Sequence, residues 1–391
     1  MAYLYGVLER RMKFKILTAI IFVWLAIKLK QPNPLLSLVM IVQNEADNIV
    51  ETIESVRDVV DYYCILDTGS TDGTQALIQQ AFGNTRGHIY QEPFTDFSTT
   101  RNRAIELLSK YSTYALMLSG DETIHNASGL RAFLKEKRYQ HDLEALNVQV
   151  LYGSKRYDSV RLHRKDAPWF YVGKTHEVMR SANGALASNR IPHVHIFHNL
   201  SETENKTQRW LLDEQLLLED WSVQPSSRTA FYLGQTYQCL QNWTHAYTWY
   251  SIRWNMKGNW HEEEYEARYR MAQVSTQLNQ TWNTTEVILM DAASYRPQRI
   301  EPLLDVAYHY YEEKQYQKAY DILQRIMDVP FPSWLQLYNH KNVYEYDRYD
   351  LMGTVAYYVN RTADGRRAVR KALEYKPGDA RLLENLKYYN E

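Results

Sequence analysis

Two polar clusters close to the start of the chain hold side chains suited to gripping a small polar ligand: Gln43-Asn44-Glu45 and Asp67-Thr68-Gly69-Ser70-Thr71-Asp72. Each follows a short apolar run, Leu38 to Val42 in the first case and Tyr63 to Leu66 in the second, and both runs read as strands covered on two faces. Between them Ile49, Ile53, Val56 and Val60 recur at three- and four-residue steps, which lays one apolar stripe along a helix. Strand, helix and strand form a βαβ unit whose polar loops leave the carboxyl ends of the strands, where open α/β sheets bind nucleotides and other ligands. Ser70 and Asp72 also suit a turn and helix cap ahead of Gln75 to Phe82, and the two roles are compatible.

More polar groups follow at intervals that repeat this design. Phe97-Ser98-Thr99-Thr100-Arg101-Asn102-Arg103 precedes a helical pattern over Ala104 to Leu108, and a strand-like Tyr114 to Leu118 runs into Ser119-Gly120-Asp121-Glu122. Val160-Arg161-Leu162-His163-Arg164 leads through Asp166 to Trp169-Phe170-Tyr171-Val172-Gly173-Lys174-Thr175-His176-Glu177. Bland roles compete at each point: a solvated turn for Asp121 and Glu122, a backbone-satisfied histidine for His176, an ion pair with Lys174 or Arg180 for Glu177. His193, His195 and His198 come last; with no cysteine beside them a zinc site is open but not favoured, and a pocket-lining role for His195 or His198 is the other reading.

The order of these clusters resembles that of the inverting glycosyltransferases of family 2, whose GT-A fold carries a strand ending in N-E and a second ending in D-x-G-S-x-D-G-T. That resemblance implies that Asp67 accepts from the nucleotide base and that Asn44, Glu45, Ser70 and Asp72 frame the ribose and its loop. It places Arg101 and Asn102 at the diphosphate and Asp121 on a divalent cation, Mn²⁺ or Mg²⁺, with His176 as a further ligand. A hard cation and a guanidinium suit a leaving diphosphate, which gains charge as the glycosidic bond breaks. Glu177 becomes the general base on the acceptor hydroxyl, with Asp166 as its rival. The chain departs from the family at Ser119, which stands where the first carboxylate of D-x-D is expected.

Composition narrows the class. With 45 basic and 46 acidic residues in 391, the chain has no basic field for nucleic acid. Cys64 and Cys239 are its two cysteines, so no disulfide framework is expected. Ile16 to Ile27 is apolar apart from Thr18, with Arg10, Arg11, Lys13 and Lys15 before it and Lys28 and Lys30 after it. This run is short of the ~20 residues of a full span. It is expected to act as a signal anchor of a single-pass type II membrane protein in the Golgi or endoplasmic reticulum lumen if the source is eukaryotic. The sequons at Asn126, Asn199, Asn205, Asn242, Asn279, Asn283 and Asn360 fit that location.

From about Thr207 the pattern turns helical. Leu233-Gly234 with Ala246, Val306-Ala307 with Ala319, and Val355-Ala356 with Ala368 each set one small residue twelve positions after another, and a weaker copy begins at Ala272. These segments resemble tetratricopeptide repeats, in which small residues let paired helices approach. Bracing, dimerisation, protein binding and acceptor binding are all open to such a stack. The expected architecture is a tail and hydrophobic anchor over 1–34, an α/β GT-A (Rossmann-like) domain over 35–205 and an all-α repeat domain over 206–391. The expected activity is inverting transfer from a nucleotide sugar, UDP being the commonest carrier in the family, to a hydroxyl of a glycan or glycoprotein. Two rivals stand beside it: a catalytically weak nucleotide-binding repeat scaffold, which Ser119 favours, and a nucleotidyltransferase, which lacks its G-x-G-x-R-x-x-P-x-x-K loop here.

Overall fold

The computed structural model describes residues 34–108, 112–138, 140, 143–153, 155–199, 206–256, 260–333, 337 and 340–389. The hydrophobic run at 16–27 lies outside them. Among the described residues no helix is long and apolar enough to cross a membrane.

The α/β part runs β1 (Leu36–Val42), α1 (Ile49–Val56), β2 (Tyr62–Asp67), α2 (Thr74–Phe82), β3 (Gly87–Gln91), α3 (Phe97–Leu107), β4 (Tyr114–Met117) and β5 (Glu122–His125). It continues with α4 (Ala127–Lys137), β6 (Ala145–Tyr152), β7 (Lys155–Arg164), β8 (Trp169–Val172), β9 (Val178–Ser181) and β10 (Ser188–His198). Strands order β3-β2-β1-β4-β7-β6-β10-β5 in one mixed sheet, and β8-β9 form a separate hairpin. β1 runs parallel to both β2 and β4, so the loops after all three open on the same edge. β1 is buried on both faces, as its unbroken apolar run requires: Leu36, Leu38 and Met40 pack with Ile49 and Ile53 of α1, while Val39 joins Cys64 and Ala104 on the other side.

One boundary differs from the sequence pattern. Phe97 to Arg103 is not a lead-in to a helix but its first turns, because Asp96 caps α3 by accepting from the Thr99 amide at 2.7 Å. The cap places Arg101 and Asn102 on a rigid helical face.

Helices follow without another strand among the described residues: α5 (Lys206–Val223), α6 (Ser227–Cys239), α7 (Trp243–Asn255), α8 (His261–Gln277), α9 (Trp282–Tyr295), α10 (Glu301–Glu312), α11 (Tyr316–Gln324), a π-turn at Val343–Asp347, α12 (Arg348–Tyr358), α13 (Thr362–Tyr375) and α14 (Ala380–Lys387). The small residues noted in the sequence are the contact points. A Cβ on Gly234 would come within 2.6 Å of the Tyr250 ring, so only glycine lets α6 and α7 close to this distance. Ala246, Ala307, Ala319, Ala356 and Ala368 are buried in the corresponding seams. The acidic run opening α8 is buried as well: Glu263 meets Arg253 at 3.0 Å, Glu264 meets Arg268 and Glu266 meets Arg270. Pairing of this kind offsets part of the cost of burying a carboxylate.

Candidate active site

The site is assembled on the open edge of the sheet, beginning with the loops after β1 and β2. Asn44, in a left-handed conformation at φ 56°, donates its amide to Ser70 Oγ at 2.9 Å, and its side-chain oxygen accepts from the Thr71 amide. Asp72 accepts from the Ala46 amide at 2.9 Å and from Thr74. Asn44, Ser70 and Asp72 therefore staple one loop to the other. Thr74 Oγ1 in turn accepts from the Glu45 amide at 2.8 Å.

What these staples hold in place is Asp67. Its carboxylate is fully buried, and one oxygen accepts from the Gly69 and Ser70 amides, both at 2.8 Å. The other oxygen, Oδ2, is buried and has no hydrogen-bond partner among the described residues. A buried acceptor left unmatched costs about 1–3 kcal/mol, so a ligand N–H or O–H that reaches it gains that much over water.

Gly120 brings the loop after β4 against Glu45, so closely that a Cβ there would lie 2.5 Å from Glu45 Cγ. Asp121 comes next. Its Oδ2 meets His198 Nε2 at 2.8 Å, because β10 pairs antiparallel with β5 and sets His198 opposite Glu122. Burial would push the Asp121 carboxyl up and the His198 imidazole down. Their mutual hydrogen bond and charge outweigh burial, holding Asp121 below the usual carboxylate range and His198 above its ordinary value. Glu122 is no solvated turn residue: it is buried, accepts from the Ser119 amide at 2.9 Å and pairs with Arg161 at 2.6 Å.

Asp121 Oδ2 and His198 Nε2, 2.8 Å apart, share a proton, so they would hold a divalent cation only once that proton has left the imidazole. Among the described residues no three His, Cys, Asp or Glu side chains converge on one point, so the remaining ligands would be phosphate oxygens and water. His176, the ligand expected from the resemblance, lines the neighbouring cavity with its ring stacked on Tyr232 of α6 at 4.0 Å, and burial drives its pKa down to about 4.

Beyond His198 a cavity of about 540 Å³ opens between the sheet and the first helices, lined by Arg101, Arg161, Tyr171, His176, Glu177, Arg228, Tyr232 and Trp260 among others. Arg101 Nε donates to Glu177 Oε1 at 2.5 Å, and the two are buried together. Burial would raise the Glu177 carboxyl, but Arg101 and then Arg161 hold it below its ordinary value. Arg101 Nη1 is buried without a partner among the described residues, which leaves its two N–H groups without an acceptor.

Of the expected site residues, Arg101, His176 and Glu177 line this cavity, Asn44, Glu45, Asp67, Ser70, Asp72 and Asp121 stand on the sheet-edge loops outside its lining, and Asn102 and Asp166 are engaged elsewhere. Asn102 is consumed by the fold: its amide nitrogen donates to the Tyr171 carbonyl at 2.9 Å and its oxygen accepts from the Tyr171 amide at 2.8 Å, locking α3 to β8. Asp166 is paired through both oxygens with Arg164, the residue that sits opposite Tyr114 at the start of β4. That end of the strand is the far edge of the sheet from Asp121, which removes Asp166 as a base. Conversely, Arg228 and Tyr232 of α6 and Trp260, which caps α8, line the cavity from a region that carries no catalytic signature in the sequence.

Residues 37–184 match the family model of Glycosyl transferase family 2. Over 205 residues the chain is 28% identical to the SPbeta prophage-derived glycosyltransferase SunS of Bacillus subtilis, a match covering 49% of this chain and 47% of that protein. Over 115 residues it is 36% identical to a TPR repeat-containing protein of Synechococcus elongatus, covering 29% of this chain and 26% of that one. The chain thus matches less than half the length of each of these relatives. The crystal structure of S. aureus TarS 1-349 overlaps 65% of this chain and 83% of its own at 11% identity, with a TM-score of 0.34. The loops after β1 and β2 and the Asp121 turn all lie within the matched segment: residues 37–184 form a glycosyl transferase family 2 domain, and tetratricopeptide-like helices follow it.

Proposed function

We propose that this chain transfers a sugar, with inversion, from a nucleotide-sugar donor, UDP-linked by analogy with the family, to a hydroxyl of a glycan or glycoprotein acceptor. The observation that carries the proposal is the unmatched, buried Oδ2 of Asp67, whose sister oxygen is fixed by two amides so that the free one is aimed before any ligand arrives. Nucleotide bases and riboses offer the N–H and O–H groups that such an acceptor needs.

In this scheme the donor lies along the loops after β2, β1 and β4, with its sugar toward the cavity. A cation held by Asp121 and His198 would supply positive charge to the departing diphosphate. Arg101 adds its unpartnered Nη1 on the same side, where the transition state gains charge. The acceptor oxygen bonds to the anomeric carbon from the opposite face, the sugar–phosphate bond breaks, and Glu177 takes the hydroxyl proton. Because Glu177 is already ionised by Arg101, it is ready as a base without a prior proton loss.

The test is a panel of nucleotide sugars incubated with the full chain and Mn²⁺ or Mg²⁺, scored for release of nucleotide. Metal-dependent release from one donor is the expected result. Binding without release from any donor would favour the repeat scaffold instead. That reading draws on the same Arg101–Glu177 pair, since a carboxylate engaged by a guanidinium is a weaker proton acceptor.

A further inference from the structure

The loop that carries Glu177 is held from the helical side. Lys174 donates its amide to Asp220 Oδ2 at 2.8 Å and its Nζ to Glu219. Thr175 Oγ1 donates to Asp213 Oδ1 at 2.6 Å, with both side chains buried. The His176 carbonyl accepts from Arg228 Nη2 at 2.9 Å, and the His176 ring lies on Tyr232 with an interplanar angle of 11°. Each residue leading into Glu177 is thus gripped by a different residue of α5 or α6. His176 also has a φ of 49°, a backbone state that a bulky residue rarely adopts unless its surroundings impose it.

Arg228 has its own anchor. Its Nη1 lies 3.7 Å from the buried Glu263 of α8, which is held in turn by the fully buried Arg253, and its guanidinium covers the Tyr232 ring at 4.7 Å. The loop is therefore tied to the body of the repeats and not to a mobile tip.

We propose that Asp213, Arg228 and Tyr232 are positioning residues of the transferase, so that the first helices after the sheet complete its active centre by fixing where Glu177 points. This rests on the glycosyl-transfer reading and on Glu177 as the base. The physical reason is the distance sensitivity of proton transfer: a misplacement of about 1 Å can cost on the order of 10²-fold in rate while leaving ground-state binding intact. A residue that merely supported the fold would lower donor binding, turnover and melting temperature together.

Arg228→Met and Asp213→Asn in the full chain separate the two cases. Expected for each is a fall in kcat of about 10- to 100-fold with donor KM and calorimetric donor affinity within about twofold of the parent. Amides over 172–178 should exchange with deuterium at least about tenfold faster. Tyr232→Phe, which keeps the stacked ring, should lose much less than Tyr232→Ala. If Arg228→Met does not fold, Asp213→Asn and the Tyr232 pair decide the matter alone. Turnover near that of the parent, turnover and donor affinity falling in step, or unchanged exchange over 172–178 would each overturn the inference. An unmodified chain that turns over no nucleotide sugar would sink the functional reading, and the catalytic role of these residues with it.

Discussion

Arg101 and Glu177 form one buried ion pair, Nε to Oε1 at 2.5 Å, although 76 residues separate them in the chain. The guanidinium expected beside the diphosphate and the carboxylate expected beside the acceptor are therefore neighbours, and Arg101 helps to hold the Glu177 carboxyl below its ordinary value against burial.

Changing either partner should leave a distinct kinetic mark. Glu177→Gln should keep donor affinity and lower kcat by about 10²- to 10⁴-fold. Arg101→Met removes the main influence that opposes burial at Glu177, so the Glu177 pKa should rise. The acidic limb of the kcat–pH profile then moves to higher pH, which a rate series from pH 4 to 8 will read. A Glu177→Gln variant with turnover within threefold of the parent would remove Glu177 as the base.

Metal dependence should follow His198 and not His176. Asp121→Ala and His198→Ala should each abolish or greatly weaken the effect of Mn²⁺ on donor binding by calorimetry. His176→Phe, which can keep a ring on Tyr232, should leave the metal dependence in place even if turnover falls. Loss of the Mn²⁺ effect in His176→Phe with His198→Ala unaffected would reverse the assignment.

Asp67→Asn isolates the unmatched oxygen. The amide side chain can still accept from Gly69 and Ser70 through its oxygen, while Oδ2 is replaced by a donor facing whatever the ligand donates. Donor affinity should drop by at least about tenfold, the equivalent of about 1.4 kcal/mol, with little change in melting temperature. Unaltered affinity would mean that no donor group of the ligand meets Asp67.

A pH effect on stability is expected from His163, which is buried on β7 with neither ring nitrogen hydrogen-bonded among the described residues. Burial, with a smaller push from Lys165, drives its pKa from 6.5 to about 4. Unfolding releases this histidine to take up a proton. The stability it contributes is therefore complete above about pH 6.5 and is lost as pH falls toward about 4. His163→Phe should flatten the fall in melting temperature between pH 6.5 and 4 relative to the parent. An identical slope in both proteins would show that the ring is protonated in the folded state.

The βαβ unit and its two loops are legible in the sequence because they are local: β1, α1 and β2 lie within one short stretch and their apolar spacing states both faces. The helical seams are legible for the same reason, with Gly234 and Ala246 spaced as their hairpin demands. What the sequence hides is made by long-range pairing. His198 reaches Asp121 only through the register of β10 on β5, and Arg161 reaches Glu122 from a strand that the local pattern does not connect to it. The polar spacing of Arg101 and Asn102 cannot tell which of the two faces the cavity. The α3 cap settles it by turning Asn102 toward Tyr171. Nor does an acidic run such as Glu262, Glu263 and Glu264 announce burial, since its partners, the Leu337 amide, Arg253 and Arg268, lie on other turns and segments.

The grip of Asp213, Asp220, Arg228 and Tyr232 on loop 174–177 also decides where this chain can be cut and recombined. By architecture the obvious splice point is the passage from strands to helices near residue 205. A chimera joined there would exchange the residues that hold Glu177 along with the repeats, and would inherit a transferase sheet facing unfamiliar partners. A junction after α8 would keep Glu263 and Arg253 with Arg228, yet Leu337, which also lines the cavity, and Glu301 and Asp305, which accept from Tyr265 and Tyr269 of α8, lie beyond it.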